Sequence, residues 1–367
     1  MSTHLAAISL AQGQPFEIQP RKTPKPGPNE LLIAIKSVAL NPADAIMRNE
    51  GLFIPKYPTI IGFDMAGLVL DVGTNVPETF KPNITRVAAY AACVWKSCEE
   101  NYGSFQEKCL VPWQHAVPLP DGDISWNEAA TLPVAVQVPL SAWDAMDIPR
   151  LEESPNTLTT GTVEKKEALL IWGASSSVGT MGVQTARLLR QDPASAFAAV
   201  YATAGAENMG YISTLGADRV FDYKDLDVVG SIVSAAEEDG IVIRCCFLAT
   251  GDLGLCQEVL KRFIGQRLNG EDVKIAKIAS APLIPQDAKV ERDVDTIFVM
   301  PSADETKRLE QFQYWIGTWL KENLALQTIK PSPNPTVVGK GLGAINAGLD
   351  RLGQGVSCRK LVVEIAE

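Results

Sequence analysis

The chain has 367 residues, 46% of them apolar and 21% charged, with a formal net charge of −10 and a sequence pI of about 4.9. That length predicts two domains of ordinary size, each with room for a core. The acidic balance argues against nucleic acid or an anionic membrane as the main partner, because both attract basic surfaces. No uninterrupted apolar stretch reaches the ~18 residues needed to span a bilayer. The opening MSTHLAAISLAQGQPFEIQP lacks a basic region followed by an apolar core, so a cytoplasmic protein is expected. The seven cysteines are odd in number and without framework spacing, which predicts reduced thiols.

In chain order, residues 1 to about 135 predict short strands broken by Pro and Gly: NELLIAIKSVAL (29–40), AGLVLDVG (66–73), RVAAYAA and EKCLVP. A polar segment, 153–167, has the composition of an exposed loop. From ALLIWG (168–173) onward the pattern changes. Buried-strand runs alternate with helical periodicity at intervals of about 25 residues: VGTMGVQTARLLR, AFAAVYATAG, GIVIRCCFLAT, CQEVLKRFIG, VKIAKIASA and TIFVM. This predicts an α/β unit with a doubly wound parallel sheet. After residue 302, DETKRLEQFQYWIGTWLKENLA predicts one amphipathic helix, and the closing strand KLVVEIA is expected to return to the N-terminal β unit.

The strongest chemical signal is IWGASSSVG, in which a buried strand runs through Gly173, Ser175, Ser176, Ser177, Val178 and Gly179 into a helix. Small residues let the backbone approach a pyrophosphate, and the helix N-terminus aims N–H groups at it. NAD enzymes place an acid roughly 20 residues further on for the ribose 2′-hydroxyl. Here Thr203 and Ala204 hold that position and the first acid, Glu207, comes later. The neutral strand end favours NADPH, although no Lys or Arg lies between Thr203 and Asp218.

LNPADAIMR (40–48), IIGFDMAGLVLDVG (60–73), GSFQEKCLV (103–111), AATLPVA (129–135), IWGASSSVG (171–179) and LGADRVFDY (215–223) occur in one order along nearly the whole chain. Together they resemble the medium-chain dehydrogenase/reductase superfamily, on its zinc-independent quinone and enoyl reductase side. The chain is similar there to fungal trans-acting enoyl reductases of polyketide biosynthesis. The resemblance implies a GroES-like β-rich catalytic domain (1–137 and 303–367) and a Rossmann domain (138–302) that binds NADPH. It implies cofactor contacts from the serine loop, Thr203 to Asn208, Tyr223, Thr250, Phe298 and Val299, with Arg359 at the place where zinc relatives meet the pyrophosphate.

Zinc relatives hold catalytic zinc with Cys, His and Cys. The matching places here are Asn41, Phe63 and the neighbourhood of Val136–Val138, so no zinc site is expected. Without a Lewis acid, a conjugated C=C bond is the easier target, because the enolate oxygen needs only hydrogen-bond donors. Asn41 reads either as such a donor or as a turn cap, and Tyr57 either as a general acid or as loop packing. Ile46, Phe53, Phe63 and Val138 are expected to line the substrate pocket, Ile46 where such relatives can carry a lysine. Asp64 is expected to brace its loop through an arginine such as Arg48 or Arg86, with Gly62 and Gly67 keeping the turn. The function expected is NADPH-dependent reduction of an enoyl or enone C=C bond on a small-molecule or acyl-thioester substrate, with a polyketide synthase carrier domain as an open partner. A quinone oxidoreductase, or a non-catalytic NADPH-binding sensor or structural protein, are the alternatives.

Overall fold

The computed structural model describes residues 2–122, 124–150, 165–266 and 275–365. Most of the polar segment 153–167 lies outside the described residues. Among the described residues no helix is long and apolar enough to cross a membrane. The chain divides into two compact units, residues 1–137 with 302–367, and residues 138–301.

The first unit is built on strands β1 (Thr3–Ile8), β2 (Glu17–Lys22), β3 (Glu30–Ala39), β4 (Asp64–Val72), β5 (Arg86–Tyr90), β6 (Lys108–Pro112) and β7 (Ala116–Pro118). β1 and β2 pair with each other. β3 pairs antiparallel with β4 and with β6, and β4 continues to β5 and then β7. β4 starts two residues earlier than its apolar run suggests, because Asp64 and Met65 already pair with Ala39 and Val38. Gly67 therefore lies inside the strand, opposite Ile35, and does not close a turn. The turn belongs to Gly62, whose φ of 105° and packing leave no room for a Cβ: one would stand 2.4 Å from Ser104 Oγ and 2.5 Å from the Phe105 ring.

The second unit holds one six-stranded sheet of β8 (Glu167–Trp172), β9 (Phe197–Ala204), β10 (Arg219–Asp222), β11 (Val242–Leu248), β12 (Ala276–Ser280) and β13 (Val294–Phe298). All its pairings are parallel, in the spatial order β10-β9-β8-β11-β12-β13. This is a doubly wound order, and it reverses at β8. β8 is buried along its whole length, as its unbroken apolar run demands of a strand covered on both faces. An ion pair enters this core. Arg244, in the middle of β11, is buried and pairs at 3.2 Å with Glu167 at the start of β8.

The chain then returns to the first unit. The predicted single helix is an α-helix, Glu305–Phe312, that widens into a π-helix over Gln313–Leu320 and narrows again over Lys321–Ala325. Asp304 caps its start by accepting the Lys307 N–H at 2.9 Å. The last strands, β14 (Pro335–Lys340) and β15 (Lys360–Glu364), join the first sheet, with β15 lying antiparallel to β3.

Candidate functional site

In the second unit the ends of β8, β9 and β11 converge on the serine loop. Gly173 follows β8 with φ 76°, and a Cβ there would stand 2.4 Å from the Thr250 carbonyl oxygen beyond β11. Its N–H donates to the Thr203 hydroxyl at 2.9 Å, while the Ala174 N–H donates to the Thr203 carbonyl at 2.8 Å. Thr203 is fully buried, so it holds the loop to β9 and offers no surface of its own. Ser176 is the N-cap of the helix Ser177–Gln191: its hydroxyl accepts the Gly179 N–H at 3.1 Å and donates to the Gly173 carbonyl at 2.9 Å. The Ser176 hydroxyl is thus spent on capping. Ser175, Ser177 and Val178 remain half-buried, and the helix opens beside them with its first-turn N–H groups and positive dipole end. A cradle of this kind, closed to side chains at Gly173 and rich in N–H donors, fits a dinucleotide pyrophosphate.

The other expected cofactor positions differ in exposure. Asn208 is half-buried at the end of a short 3₁₀ turn after β9, Tyr223 is exposed beyond β10, Thr250 is exposed beyond β11, and Phe298 is half-buried at the end of β13. Val299 is buried and donates its N–H to Ser280. Val138 is half-buried in the helix Leu132–Ala145.

In the first unit the glycine-framed loop IGFDMAG leads to a buried charge network. Asp64, fully buried, accepts the Val134 N–H at 2.8 Å through one carboxylate oxygen. Its other oxygen accepts from Asn41 Nδ2 at 3.0 Å and lies 3.0 Å from Lys360 Nζ. Lys360 Nζ also donates to Asn41 Oδ1 at 2.5 Å. The expected arginine partners are engaged elsewhere. Arg48 pairs with Asp350 at 2.6 Å, and Arg86 donates to the Ile124 carbonyl and lies over the Trp126 ring. Arg359 is exposed, and its neighbour Lys360, the first residue of β15, is the buried cation. Asn41 is the N-cap of the helix Pro42–Glu50, with its own N–H on Asp44 Oδ2 at 2.7 Å. Both ends of its amide are engaged inside the protein, on Asp64 and Lys360.

Phe63, in the same IGFDMAG loop, faces aromatic neighbours. Its ring centroid is 5.6 Å from that of Tyr90, and Tyr90 is 4.9 Å from Phe312. Phe312 stacks on His115 at 3.8 Å with planes 19° apart. His115 is buried, which pulls its pKa down to about 3, and its Nδ1 lies 3.2 Å from the Tyr90 carbonyl. The imidazole is therefore neutral, with Nδ1–H donating, and acts as one more ring in an apolar wall. Ile46 is half-buried on the helix Pro42–Glu50. Phe53 is 40% exposed, with φ 63°, and its carbonyl accepts from Cys98 Sγ. The Tyr57 hydroxyl is buried without a hydrogen-bond partner among the described residues, and burial raises its pKa. An unpaired buried hydroxyl keeps both the acid and the packing reading of Tyr57 open.

Asp44, fully buried beside Asp64, has its pKa pushed up to about 7, first by desolvation and then by the Asp64 charge. The unfolded chain releases that proton near 3.8, so the folded state binds the extra proton between the two values. Asp44 therefore weakens the fold by about 1.4 kcal/mol per pH unit as pH rises through that window. His115 has the opposite slope, because its folded pKa lies below 6.5. Asp44→Asn keeps an acceptor for the Asn41 N–H and removes the ionisation. Urea unfolding across pH should show the variant gaining on the native protein as pH rises from about 4 to about 7. A gap independent of pH would mean that Asp44 is ionised in the fold throughout.

The comparisons with known proteins agree with this architecture. Residues 27–121 match the model of the alcohol dehydrogenase GroES-like domain. The chain is 38% identical over 366 residues to the trans-enoyl reductase tndF of Aspergillus flavipes, covering 99% of both chains. It is 38% identical over 308 residues to the trans-enoyl reductase tazE of Aspergillus terreus, covering 83% of this chain and 94% of the relative. Among solved structures, the CurK enoyl reductase shares the fold with a TM-score of 0.71, at 17% identity and 99% coverage of both chains. The chain belongs to the medium-chain dehydrogenase/reductase superfamily, in company with the fungal trans-enoyl reductases, and is an oxidoreductase of the kind that uses a nicotinamide cofactor.

Proposed function

We propose that this protein reduces the C=C bond of an enoyl thioester or enone with NADPH and without zinc, in fungal secondary metabolism. The observation that carries this reading is the state of the IGFDMAG loop. Phe63 fills the place of a metal ligand, and Asp64, the one carboxylate of the loop, is fully engaged by Lys360, Asn41 and the Val134 N–H. Zinc needs about three protein ligands, and this loop has none to spare. The similarity to two proteins named trans-enoyl reductases supports the same substrate class.

In this reading Gly173, Ser175, Ser177 and Val178 take the pyrophosphate of the cofactor, with Thr203 and Ser176 holding the loop in shape. NADPH supplies the hydride when bound. The aromatic wall of Phe63, Tyr90 and Phe312 keeps water from the acceptor, and Tyr57 is the group to test as proton donor. Loss of nicotinamide absorbance should be followed with enones, enoyl thioesters and quinones, before and after dialysis against a chelator. Turnover of enoyl thioesters or enones, unchanged by the chelator, is the expected result. Turnover of quinones alone would reassign the substrate, and tight NADPH binding with no turnover of any acceptor would sink the enzyme reading. Comparing one acyl chain on coenzyme A and on a carrier domain tests whether the substrate arrives carrier-bound.

A further inference from the structure

Selectivity for a phosphorylated ribose needs a cation at the end of β9, and no Lys or Arg follows Thr203 in sequence before Asp218. Sheet register supplies one from the neighbouring strand. β10 runs parallel to β9 with Asp222 opposite Ala204, and the Tyr223 N–H reaches the Ala204 carbonyl at 3.4 Å. The next residue is Lys224. Its N–H donates to Asp222 Oδ1 at 3.0 Å, which fixes the turn. Its side chain is exposed, has no ion pair among the described residues, and its Nζ lies 5.6 Å over the exposed Tyr223 ring.

The acids around this strand end are largely occupied. Asp218 accepts the Val200 N–H at 2.8 Å and pairs with Arg190. Asp222 serves the Lys224 N–H, and Asp225 accepts the Asp227 N–H at 3.0 Å. Glu207 is folded back on the chain, with both carboxylate oxygens 2.9 Å from where a Gly205 Cβ would stand. A free ammonium beside an exposed aromatic face, next to a strand end with neutral Thr203, Ala204 and Gly205, suits an adenosine that carries a phosphate on its ribose.

We infer that Lys224 binds the 2′-phosphate of NADPH and sets the preference for NADPH over NADH, with Tyr223 beside it. The inference rests on the NADPH reading above. Titration calorimetry with adenosine 2′,5′-bisphosphate and adenosine 5′-monophosphate separates the two without any turnover. The native protein should bind the bisphosphate more tightly. Lys224→Gln should lose about tenfold in bisphosphate affinity, the worth of one charge-assisted contact, with the monophosphate unchanged. Lys224→Arg should keep most of the preference. If the native protein discriminates and Lys224→Gln discriminates equally, Lys224 is not the determinant and the NADPH reading stands. Equal loss of both ligands would also overturn the assignment. If the native protein favours the monophosphate, the NADPH reading itself fails, and Glu207 becomes the ribose acceptor.

Discussion

Asp64→Ala is expected to destabilise the protein by about 3–5 kcal/mol, because it leaves the Lys360 ammonium buried without a counter-charge. Lys360 is 3% exposed and Asp64 fully buried, so solvent does little to soften the loss. Asn41 loses the acceptor for its amide at the same time. A loss of that size is a large share of the roughly 5–15 kcal/mol that holds an ordinary fold together. Lys360→Met alone should be comparably harmful, since it leaves Asp64 and Asp44 facing each other. Asp64→Leu with Lys360→Met removes both charges and should regain much of the loss, as apolar replacements of buried pairs often do. Denaturant titration of the two single variants and the double variant gives the coupling between them. If Asp64→Ala kept native stability and cofactor affinity yet lost turnover, Asp64 would belong to the chemistry and its bracing role would be wrong.

Gly173→Ala is expected to abolish dinucleotide binding while leaving the first unit folded. The new Cβ would meet the Thr250 carbonyl oxygen at 2.4 Å, and φ 76° is itself unfavourable for alanine. Relief requires the end of β8 to move away from β11 and so toward β9, which distorts the bond from Gly173 N–H to Thr203. A cradle displaced by an ångström loses several phosphate contacts together, so affinity should fall by about a hundredfold or more. Cofactor fluorescence titration reads this directly. Thr203→Val should be a milder version, removing one buried acceptor at a cost of about 1–3 kcal/mol. Native cofactor affinity in Gly173→Ala would show that the pyrophosphate lies elsewhere.

Much of the fold is written in local pattern. The unbroken apolar run of β8, followed by small residues and then helical periodicity, can hardly be anything but the opening strand of a parallel sheet. The π-helix was not legible, because Phe312, Trp315, Ile316, Trp319 and Leu320 form an apolar stripe that an α-helix also accepts. In the site, the sequence marks the loop but not its partner. Asp64 and Lys360 are 296 residues apart, and only the pairing of β15 with β3 brings them together. Alternation along KLVVEIA groups Lys360 with Val362 and Glu364 and so gives no sign that the lysine is buried; burial runs unbroken from Lys360 to Val363. Arg359, one residue away, is exposed. Lys224, the proposed phosphate contact, is distant from Thr203 along the chain and follows the end of β10, where Asp222 lies opposite Ala204. The serine loop illustrates a different limit, in that residue type cannot say whether a hydroxyl faces a ligand or caps its own helix.

The strand that carries Lys360 also bears on the order in which the molecule assembles. β15 sits between β14 and β3, yet it is made only after the whole of the second unit has been synthesised. Until it arrives, Asp64 and Asp44 have carboxyls in a forming core with no cation to meet them. The second unit, continuous in sequence, has no such wait and can close on itself first. The first unit is therefore the slower to mature. A nascent chain released before β15 would present an open edge at β3 together with two carboxyls that resist burial, and this keeps the unfinished sheet solvated until its last strand is in register.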